Sequence, residues 1–432
     1  MRNSLAVAIE ALSWMAYAGL GERTALFRAE EQLGASPHEL RQAHRLIMET
    51  TRYMNRLDHI ISSLSIDDIN DMPHGVSCFL RILAYLRCID EADNKELMQT
   101  IFTARQVLGW KELRPYEVTI GKLASEEALV NPRDEYDRIS LDTCHPLWYV
   151  HRVLNVFGRD LGLRILNSDM KSVSNYLRQN TSKNASNAIL NMGSEVEEVP
   201  NVRRLDNTRK IHQVHAVRAG DAVIQDLSAI VAGLVASPQP GELVLDVCAA
   251  PGNKTSHLAS MMGNRGEIVS VDVSVKRMIH WKREVKRLGC TIAHPLVADA
   301  SRIQIHRRAD LVLVDPPCSN TGVFAKNPST KWRITPSRLH HLVTKQADIL
   351  QSASESVCAG GRLVYSTCSI LPEENEEIMS YFLSRNPNFV VEDQIPFVGS
   401  PGLNGFEKFQ RFYTHLHDCN GYFIAKVRKR NA

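Results

Sequence analysis

The first quarter of the chain has apolar residues at helical spacing. From Leu5 to about Leu123 they recur every three or four positions, as along one face of a helix. One such stripe consists of Leu40, Ile47, Met54, Leu57, Ile61 and Leu64. The segment Ser36-Pro37-His38-Glu39 can form a capping box, because the Ser36 and Glu39 side chains can each accept a bond from an unpaired amide at a helix start. These features predict an all-α bundle over residues 1–125.

The pattern becomes less regular after this bundle. Residues 125–143 are charged and contain Asn131-Pro132, which predicts a linker. A short helix is expected around Trp148–Phe157, and irregular sequence rich in Asn and Ser follows near Thr181–Asn191. We therefore predict a small α+β connecting subdomain over residues 140–235.

After Pro240-Gly241 the pattern changes to short apolar runs that alternate with helical stretches. The runs are Leu243–Val247, Ile268–Asp272, Leu311–Asp315, Leu363–Ser366 and Phe423–Val427. Strands that are apolar on both faces and separated by helices are typical of a mostly parallel sheet covered on two sides. The sequence therefore predicts an α/β domain over residues 236–430, doubly wound and Rossmann-like.

Composition narrows the classes of protein. Hydrophobic residues make up 44% of the chain and charged residues 23%, as in soluble globular proteins. The early apolar stretch Leu5–Leu20 is interrupted by Glu10, so we expect neither a signal peptide nor a membrane span. Nine cysteines without a Cys-x-x-Cys pair indicate neither a disulfide framework nor a metal site and favour the cytoplasm. The net charge of +3 is too small to indicate nucleic acid by itself.

A strand, turn and helix at the start of the α/β region predict a cofactor site. Strand Leu243–Val247 runs into Cys248–Thr255, whose small residues would let a ligand approach the backbone. Asp272 ends the next strand, where a carboxylate can bond ribose hydroxyls. Asp299 follows a third strand and could bond adenine or cap a helix. The turn lacks the glycine pattern of dinucleotide sites and the Gly-Lys-Ser/Thr of triphosphate sites, which favours an adenosyl cofactor without phosphates.

Two cysteines follow strands that end at the same edge of the predicted sheet. Cys318 closes the run Asp315-Pro316-Pro317-Cys318, and Cys368 lies in Ser366-Thr367-Cys368-Ser369. Carbon 5 of a pyrimidine is too electron-poor to attack a sulfonium methyl group, so a thiolate must first add to carbon 6. The other cysteine is a candidate to assist product release. Asp315 could hydrogen-bond the ring, and Lys254 could orient it or lower the pKa of a thiol.

Together these motifs resemble the RsmB, or Sun/Fmu, branch of the RNA cytosine carbon-5 methyltransferases. The matching segments are Asp246–Thr255, Asp315–Ser319 and Ser366–Ser369, with flanking signatures at Gln225-Asp226, Glu373–Glu376 and Gly421–Lys426. The resemblance implies S-adenosylmethionine as cofactor, Cys368 as the nucleophile and Cys318 as the residue that assists release. It also implies cofactor contacts from Cys248, Ala249, Ala250, Pro251, Gly252, Asn253, Lys254, Asp272, Asp299 and Asp315.

One residue departs from the family pattern. Asn253 stands where the family usually has glycine. If this position requires a positive φ, Asn is the next-best tolerated residue, so cofactor binding is expected to survive. Outside the α/β domain, the helical first domain is similar in length and pattern to the NusB-like RNA-binding module of this branch.

RNA is the partner that the resemblance implies. The NusB-like module favours small-subunit ribosomal RNA, and transfer RNA is an alternative; a non-catalytic assembly factor is a third reading, which the intact cysteines disfavour. Basic clusters at 203–210, 282–287 and 426–430 could contact phosphates or coat exposed surface. Phe324 and Trp332 could stack on a splayed-out base or pack in the core. The oligomeric state cannot be read from the sequence, and we take a monomer without membrane or metal as the working expectation.

Overall fold

A computed structural model of the protein describes residues 2–125, 130–183, 192–205, 214–303, 305 and 307–431. The chain forms two compact units. The helical unit comprises Met1–Met170 and Asn327–Ile334, and the sheet unit comprises Lys171–Lys326 and Thr335–Ala432. This grouping differs from the three parts predicted from the sequence, because the predicted connecting subdomain is divided at Met170, with its first part in the helical unit and the rest in the sheet unit.

The helical unit is built from helices throughout its described residues. They are α1 (Arg2–Ala18), α2 (Glu22–Leu33), α3 (Pro37–Arg52), α4 (Met54–Leu64), α5 (His74–Cys88), α6 (Asn94–Val107), α7 (Trp110–Leu113), α8 (Glu117–Ser125), α9 (Glu135–Thr143), α10 (Leu147–Ser168) and α15 (Ser329–Arg333), with a 3-10 turn at Arg114–Tyr116. Ile47, Leu57 and Ile61 of the predicted stripe are fully buried in its core. The capping box at Ser36 and Glu39 is present, so this prediction is confirmed.

The predicted linker at 125–143 is wrong for its second half, which is helix α9. The side chain of Asp134 accepts a hydrogen bond from the amide of Asp137 and caps the helix. Glu135 and Asp137 lie in the first turn, where the helix dipole favours negative charge. The charges that indicated a linker are therefore those of a helix start. The next helix, α10, is longer than the predicted one and has a kink at Gly158.

A small four-stranded sheet opens the sheet unit. Its strands are β1 (Asn175–Gln179), β2 (Ser194–Glu195), β3 (Val202–Leu205) and β4 (Ala222–Ile224), in the order β2-β3-β1-β4 with antiparallel pairing. The short helix α11 (His215–Ala219) precedes β4. The predicted irregular stretch at 181–191 lies outside the described residues from position 184 onward. This sheet matters for the site because β4 leads directly into Gln225 and Asp226.

The large sheet has nine strands among the described residues. They are β5 (Leu243–Val247), β6 (Glu267–Asp272), β7 (Ala293–Val297), β8 (Ala309–Val314), β9 (Val357–Thr367), β10 (Phe389–Val391), β11 (Ser400–Pro401), β12 (Gln410–Phe412) and β13 (Tyr422–Lys429). The order is β11-β12-β13-β9-β8-β5-β6-β7, and β10 pairs with β13. The five neighbouring strands β9, β8, β5, β6 and β7 are parallel to one another, and β13 runs antiparallel beside β9.

Helices cover both faces of this sheet. They are α12 (Leu227–Ala236), α13 (Asn253–Met261), α14 (Val275–Arg287), α16 (Pro336–Glu355), α17 (Glu376–Arg385) and α18 (Thr414–His417), with 3-10 turns at Ala300–Arg302 and Pro372–Glu374. Leu243, Leu245 and Val247 pack in a core with α16 and α17, whereas Val244 packs on the opposite side with α12 and α13. The alternation explains why β5 is apolar at nearly every position. The predicted doubly wound, Rossmann-like fold is confirmed.

Within the described ranges, no helix has the length and apolar character needed to cross a bilayer. The same residues contain no group of three or more His, Cys, Asp or Glu side chains that could hold a metal ion.

Candidate active site

The loop after β5 is shaped by two residues with positive φ. Cys248 has φ 64° and Gly252 has φ 110°. A Cβ on Gly252 would lie 3.1 Å from side-chain atoms of Trp281 and Val285, so only glycine fits this packing against α14. Asn253 is the first residue of helix α13. The positive φ considered for Asn253 is therefore at its neighbour, and the departure from the family's glycine requires no unusual backbone.

A cavity of about 220 Å³ lies at the end of β5, and Asp246 is its most deeply buried acidic residue. One carboxylate oxygen of Asp246 accepts a hydrogen bond from the Thr255 hydroxyl at 2.6 Å. The other oxygen is buried and has no hydrogen-bond partner among the described residues. Burial raises the pKa of Asp246 to about 7. The cavity is lined by Ile224, Gln225, Asp226, Ala229, Asp246, Cys248, Ala249, Ala250, Pro251, Asn253, Lys254 and Asp315.

Asp315, which follows β8, lies at the centre of a hydrogen-bonded cluster. Lys254 donates to Asp315 Oδ2 at 2.6 Å, and the hydroxyls of Ser366 and Tyr422 donate to Oδ1 at 3.2 Å each. Burial opposes the charge of Lys254, but the interactions with Asp315 and Tyr422 together outweigh it and raise the pKa of Lys254 above its usual value. Lys254 is therefore a cation paired with Asp315, and not with either thiol.

The two predicted thiols meet at the ends of β8 and β9. Cys318 Sγ lies 3.2 Å from Cys368 Sγ, and the side-chain oxygen of Asn320 lies 2.8 Å from Cys368 Sγ. Both cysteines are half-buried. The hydrogen bond with Cys368 and burial together raise the pKa of Cys318 well above its usual value. At neutral pH, Cys318 therefore retains its proton and can donate it toward the sulfur of Cys368.

Glu374 fastens the loop that carries Cys318. Its fully buried carboxylate accepts hydrogen bonds from the amide of Ser319 at 2.7 Å, from the Ser319 hydroxyl at 2.5 Å and from the Gln346 amide at 2.9 Å. Gln346 also donates to the carbonyl of Pro317. The bonds to Ser319 and Pro317 fix the two residues that flank Cys318 in the chain.

The loop that carries Cys368 is fastened in the same manner. The Thr367 hydroxyl donates to the side chain of Asn375 at 2.6 Å, and Asn375 donates in turn to the carbonyl of Ser369 at 2.9 Å. Gly322 donates to the carbonyl of Cys368 at 2.9 Å. A Cβ on Gly322 would lie 2.0 Å from the carbonyl oxygen of Gly421, so the close approach of these segments requires glycine.

Comparison with known proteins places this site in a family. The profile described as 16S rRNA methyltransferase RsmB/F matches residues 233–428. The probable ribosomal RNA small subunit methyltransferase B of Bacillus subtilis is 30% identical over 312 residues, which cover 69% of each chain. The chain belongs to the RsmB/F family of RNA cytosine-5 methyltransferases.

Other RsmB/F relatives differ in the RNA that their names specify. A tRNA (cytosine(72)-C(5))-methyltransferase of Pyrococcus horikoshii is 34% identical over 220 residues, covering 51% of this chain and 55% of that protein. The crystal structure of PH0851 superposes with a TM-score of 0.87 and 26% identity over 99% of both chains. Like its RsmB/F relatives, the chain is an S-adenosylmethionine-dependent RNA methyltransferase.

Two of the predicted cofactor residues already have protein partners. Asp272 accepts from the amides of Ala250 and Ser274 and pairs with Arg277 at 3.2 Å. Asp299 caps the 3-10 turn that follows it, accepting from the amide and the hydroxyl of Ser301, and these bonds lower its pKa. Neither carboxylate lines the cavity at the end of β5. A cofactor role for Asp272 and Asp299 stays a prediction.

The residues predicted to contact RNA are distributed over both units. Phe324 is fully buried in the sheet unit, which leaves no ring face for a nucleotide. Trp332 belongs to the helical unit, where its indole donates to the carbonyl of Thr51 at 2.7 Å. Core packing thus accounts for Phe324, whereas Trp332 is half-buried and its stacking on RNA stays a prediction. In the basic cluster at 203–210, residues 206–210 lie outside the described residues, and the cluster's RNA contacts stay a prediction.

Sequence reasoning did not assign roles to several residues that hold the thiols. Asn320 contacts Cys368, and Gln346 on α16 reaches both Glu374 and Pro317. Glu374 and Tyr422 lie inside the flanking segments that match the family, but the sequence assigned them no role. Asn320 has φ 60°, and an Asn two residues after a Pro-Pro-Cys run is a signal that could have marked it.

Proposed function

We propose that this chain methylates carbon 5 of a cytosine in small-subunit ribosomal RNA through a covalent adduct at Cys368. The observation that supports this proposal most is the pair of thiols 3.2 Å apart at adjacent strand ends. Two neighbouring thiols meet the need of the reaction, which adds one sulfur to the ring and later removes a proton from it.

The residues at the end of β5 fit the cofactor. S-adenosylmethionine would supply an electrophilic methyl group on a sulfonium centre. The sulfonium and ammonium groups are cationic, and the cavity is lined by the carboxylates of Asp226, Asp246 and Asp315. The unpartnered oxygen of Asp246 provides a free acceptor there. We propose that the loop from Cys248 to Lys254 holds the cofactor, with Asp272 and Asp299 completing the site.

The proposed sequence of steps begins with the thiolate of Cys368. It adds to carbon 6 of cytosine, forming a C–S bond and moving electron density to carbon 5. Carbon 5 would then take the methyl group, as the bond from that methyl to the sulfonium breaks and its electron pair stays on the departing thioether. Asp315, held by Lys254 and Tyr422, hydrogen-bonds the ring and stabilises the charge that develops there. A base removes the proton on carbon 5, the double bond re-forms, the C–S bond breaks and Cys368 leaves as a thiolate.

The raised pKa of Cys318 supports the assignment of Cys368 as the nucleophile and of Cys318 as the later base. Its hydrogen bond with Cys368 is the largest cause of the raised pKa and burial is the next, and both favour a protonated Cys318 in the free enzyme. Once Cys368 has become a thioether, the first cause is gone and Cys318 can lose its proton more readily. Cys318 is then the base beside the ring at the step that requires one.

Ribosomal RNA is preferred to transfer RNA as the substrate. The relatives named for small-subunit ribosomal RNA align over 69% and 71% of this chain, whereas the tRNA enzyme aligns over 51%. The longer alignments extend beyond the 196 residues of the methyltransferase profile, toward the helical unit. We propose that the helical unit is NusB-like and binds RNA, as exposed arginines such as Arg23 and Arg41 would allow.

The proposed reaction needs neither a metal nor a second subunit. Addition of the thiolate activates the ring, and both thiols and the whole cofactor loop lie in the sheet unit of one chain. All nine cysteines are free thiols, as a reducing compartment would keep them. We therefore propose a monomer that acts in the cytoplasm.

The test is transfer of labelled methyl groups to unmodified ribosomal and transfer RNA pools. Cys368→Ala is expected to abolish transfer, whereas Cys318→Ala is expected to accumulate a covalent protein–RNA adduct on denaturing gels. Cys358→Ala, in a half-buried cysteine of β9, is the matched control and should transfer like the unmodified protein. Label confined to transfer RNA would overturn the substrate, and full turnover by Cys368→Ala would overturn the nucleophile.

A further inference from the structure

Two buried side chains next to the cofactor loop have unusual surroundings. Arg178 on β1 is buried, and no carboxylate of the described residues pairs with it. Its Nε donates to the side-chain oxygen of Gln225 at 2.9 Å, while its Nη2 has no acceptor within the described part of the chain. Burial alone lowers the pKa of Arg178 to about 10. A buried cation without an anion is costly, which suggests that a ligand brings the anion.

The bond from Arg178 determines which end of the Gln225 amide is available. A guanidinium can only donate, so the Gln225 atom that it contacts must be the oxygen. The amide nitrogen is therefore left as the free end, and it is buried without a partner among the described residues. Gln225 also lines the 220 Å³ cavity at the end of β5. This cavity thus has an unused hydrogen-bond donor in its wall.

The same cavity has an unused acceptor. Asp246 lines it, and one oxygen of its buried carboxylate has no partner in the described ranges. A donor beside an uncompensated cation and an anionic acceptor are the two groups that bind a zwitterionic amino acid, whose carboxylate needs the first and whose ammonium needs the second. The adenosyl end of a cofactor carries no such pair of charges.

We propose that Gln225, positioned by Arg178, binds the carboxylate of the cofactor's amino-acid end, and that Asp246 accepts from its ammonium group. This inference rests on the proposed function, because it takes S-adenosylmethionine as the occupant of the cavity. Gln225 touches the cofactor, whereas Arg178 is a positioning residue that orients the amide and supplies positive charge.

Two ligands that differ by a carboxylate test this assignment. The intact protein is titrated calorimetrically with S-adenosylmethionine and with decarboxylated S-adenosylmethionine, which lacks only that group. The unmodified protein is expected to bind the carboxylated ligand about 10 to 100 times more tightly. Gln225→Ala should weaken binding of S-adenosylmethionine about 10-fold and change binding of the decarboxylated ligand less than about 2-fold.

Gln225→Glu is the sharper variant. A glutamate can pair with Arg178, so the fold should persist, but it replaces the donor by a second negative charge beside the ligand's carboxylate. Binding of S-adenosylmethionine should fall further than in Gln225→Ala, with the decarboxylated ligand spared. Gln351→Ala, at an exposed glutamine of α16, is the control and should bind both ligands normally.

Two results would overturn the inference. One is an equal loss of both ligands in the Gln225 variants, which would indicate a merely structural role. The other is unchanged affinity for S-adenosylmethionine. If the unmodified protein binds neither ligand, the proposed function fails together with the inference, whereas normal binding without discrimination by the variants overturns only the inference.

Discussion

The loop after β5 and the loops after β8 and β9 belong to one sheet, but their buried polar atoms are satisfied in different ways. Around the first loop, Gln225 and Asp246 each keep one buried atom without a partner in the described residues. Around the cysteine loops, Glu374 and Asn375 bond to neighbouring backbone and side-chain groups, and the side-chain oxygen of Gln346 is the atom there that has no partner among the described residues. The comparison indicates that a ligand completes the first loop, whereas the protein itself fixes the position of the two sulfur atoms.

The strongest test of this comparison is to remove the fastening of the cysteine loop. Glu374→Ala leaves the buried amide of Ser319 without its acceptor, at a cost of about 1–3 kcal/mol, and removes one acceptor each from the Ser319 hydroxyl and the Gln346 amide. A displacement of roughly 1 Å at Cys318 is enough to slow removal of the carbon 5 proton, and with it the release of methylated RNA, about 100-fold. Multiple-turnover release of methylated RNA measures the effect, and the dissociation constant of S-adenosylmethionine should stay within about 2-fold.

The matched control for this prediction is Glu377→Ala, at an exposed glutamate three residues later in helix α17. It should release methylated RNA normally. Release of methylated RNA by Glu374→Ala within about 2-fold of the unmodified protein would show that the cysteine loops hold their geometry without this carboxylate. Loss of S-adenosylmethionine binding in Glu374→Ala would show that the loop after β5 also depends on this carboxylate.

The second test concerns the carboxylate of Asp246, one oxygen of which has no hydrogen-bond partner among the described residues. The pKa of Asp246 is raised by burial to about 7, above the value near 3.9 that an unfolded aspartate has. The folded protein therefore holds this proton more tightly, and the free energy of unfolding falls as pH rises from about 4 to about 7. A cationic cofactor favours the ionised carboxylate, so its affinity should rise with pH through about 7.

Asp246→Asn removes this titration but keeps an acceptor for Thr255. Binding of S-adenosylmethionine at pH 6 should match the unmodified protein, and at pH 8 it should be about 10-fold weaker. Between pH 5 and pH 8, the melting temperature should fall less in the variant than in the unmodified protein. Asp393→Asn, at an exposed aspartate, serves as the control. A pH dependence of binding that survives in Asp246→Asn would assign the titration to another group.

The main features of the fold could be predicted from the sequence because they depend on periodicity. Each of the five predicted apolar runs coincides with a strand of the large sheet, since a strand buried on both faces shows an uninterrupted apolar run. An α+β subdomain was predicted in this region, but the strands of its small sheet could not be located, because β2 has two residues and β4 has three. Charge near Glu135 misled the prediction of a linker, since caps and linkers share the same residue types.

The candidate site likewise has features that the sequence predicts and features that it does not. Cys318 and Cys368 follow strands, so topology alone predicts that they meet at one sheet edge. The groups that fasten them lie farther along the chain or on another helix, as with Glu374 and Gln346, and spacing carries no information about such contacts. The orientation of the Gln225 amide depends on Arg178, 47 residues earlier, and only coordinates reveal it.

The prediction with the smallest expected effect tests how strongly the cofactor loop after β5 and the cysteine loops are coupled through Asp315. The hydroxyl of Tyr422 lies 3.2 Å from Asp315 Oδ1 and 3.1 Å from the Ser366 hydroxyl and can donate its one proton to either, whereas Lys254 bonds the other oxygen of Asp315. Tyr422→Phe removes one donor but leaves the lysine, so kcat/KM for methyl transfer should fall only about 5-fold, the equivalent of about 1 kcal/mol. Tyr381→Phe, at an exposed tyrosine, should have no effect. A fall as large as that of Glu374→Ala would mean that Asp315 depends on the hydroxyl more than on the lysine, and that the fastening of the cysteine loops extends to the cofactor side.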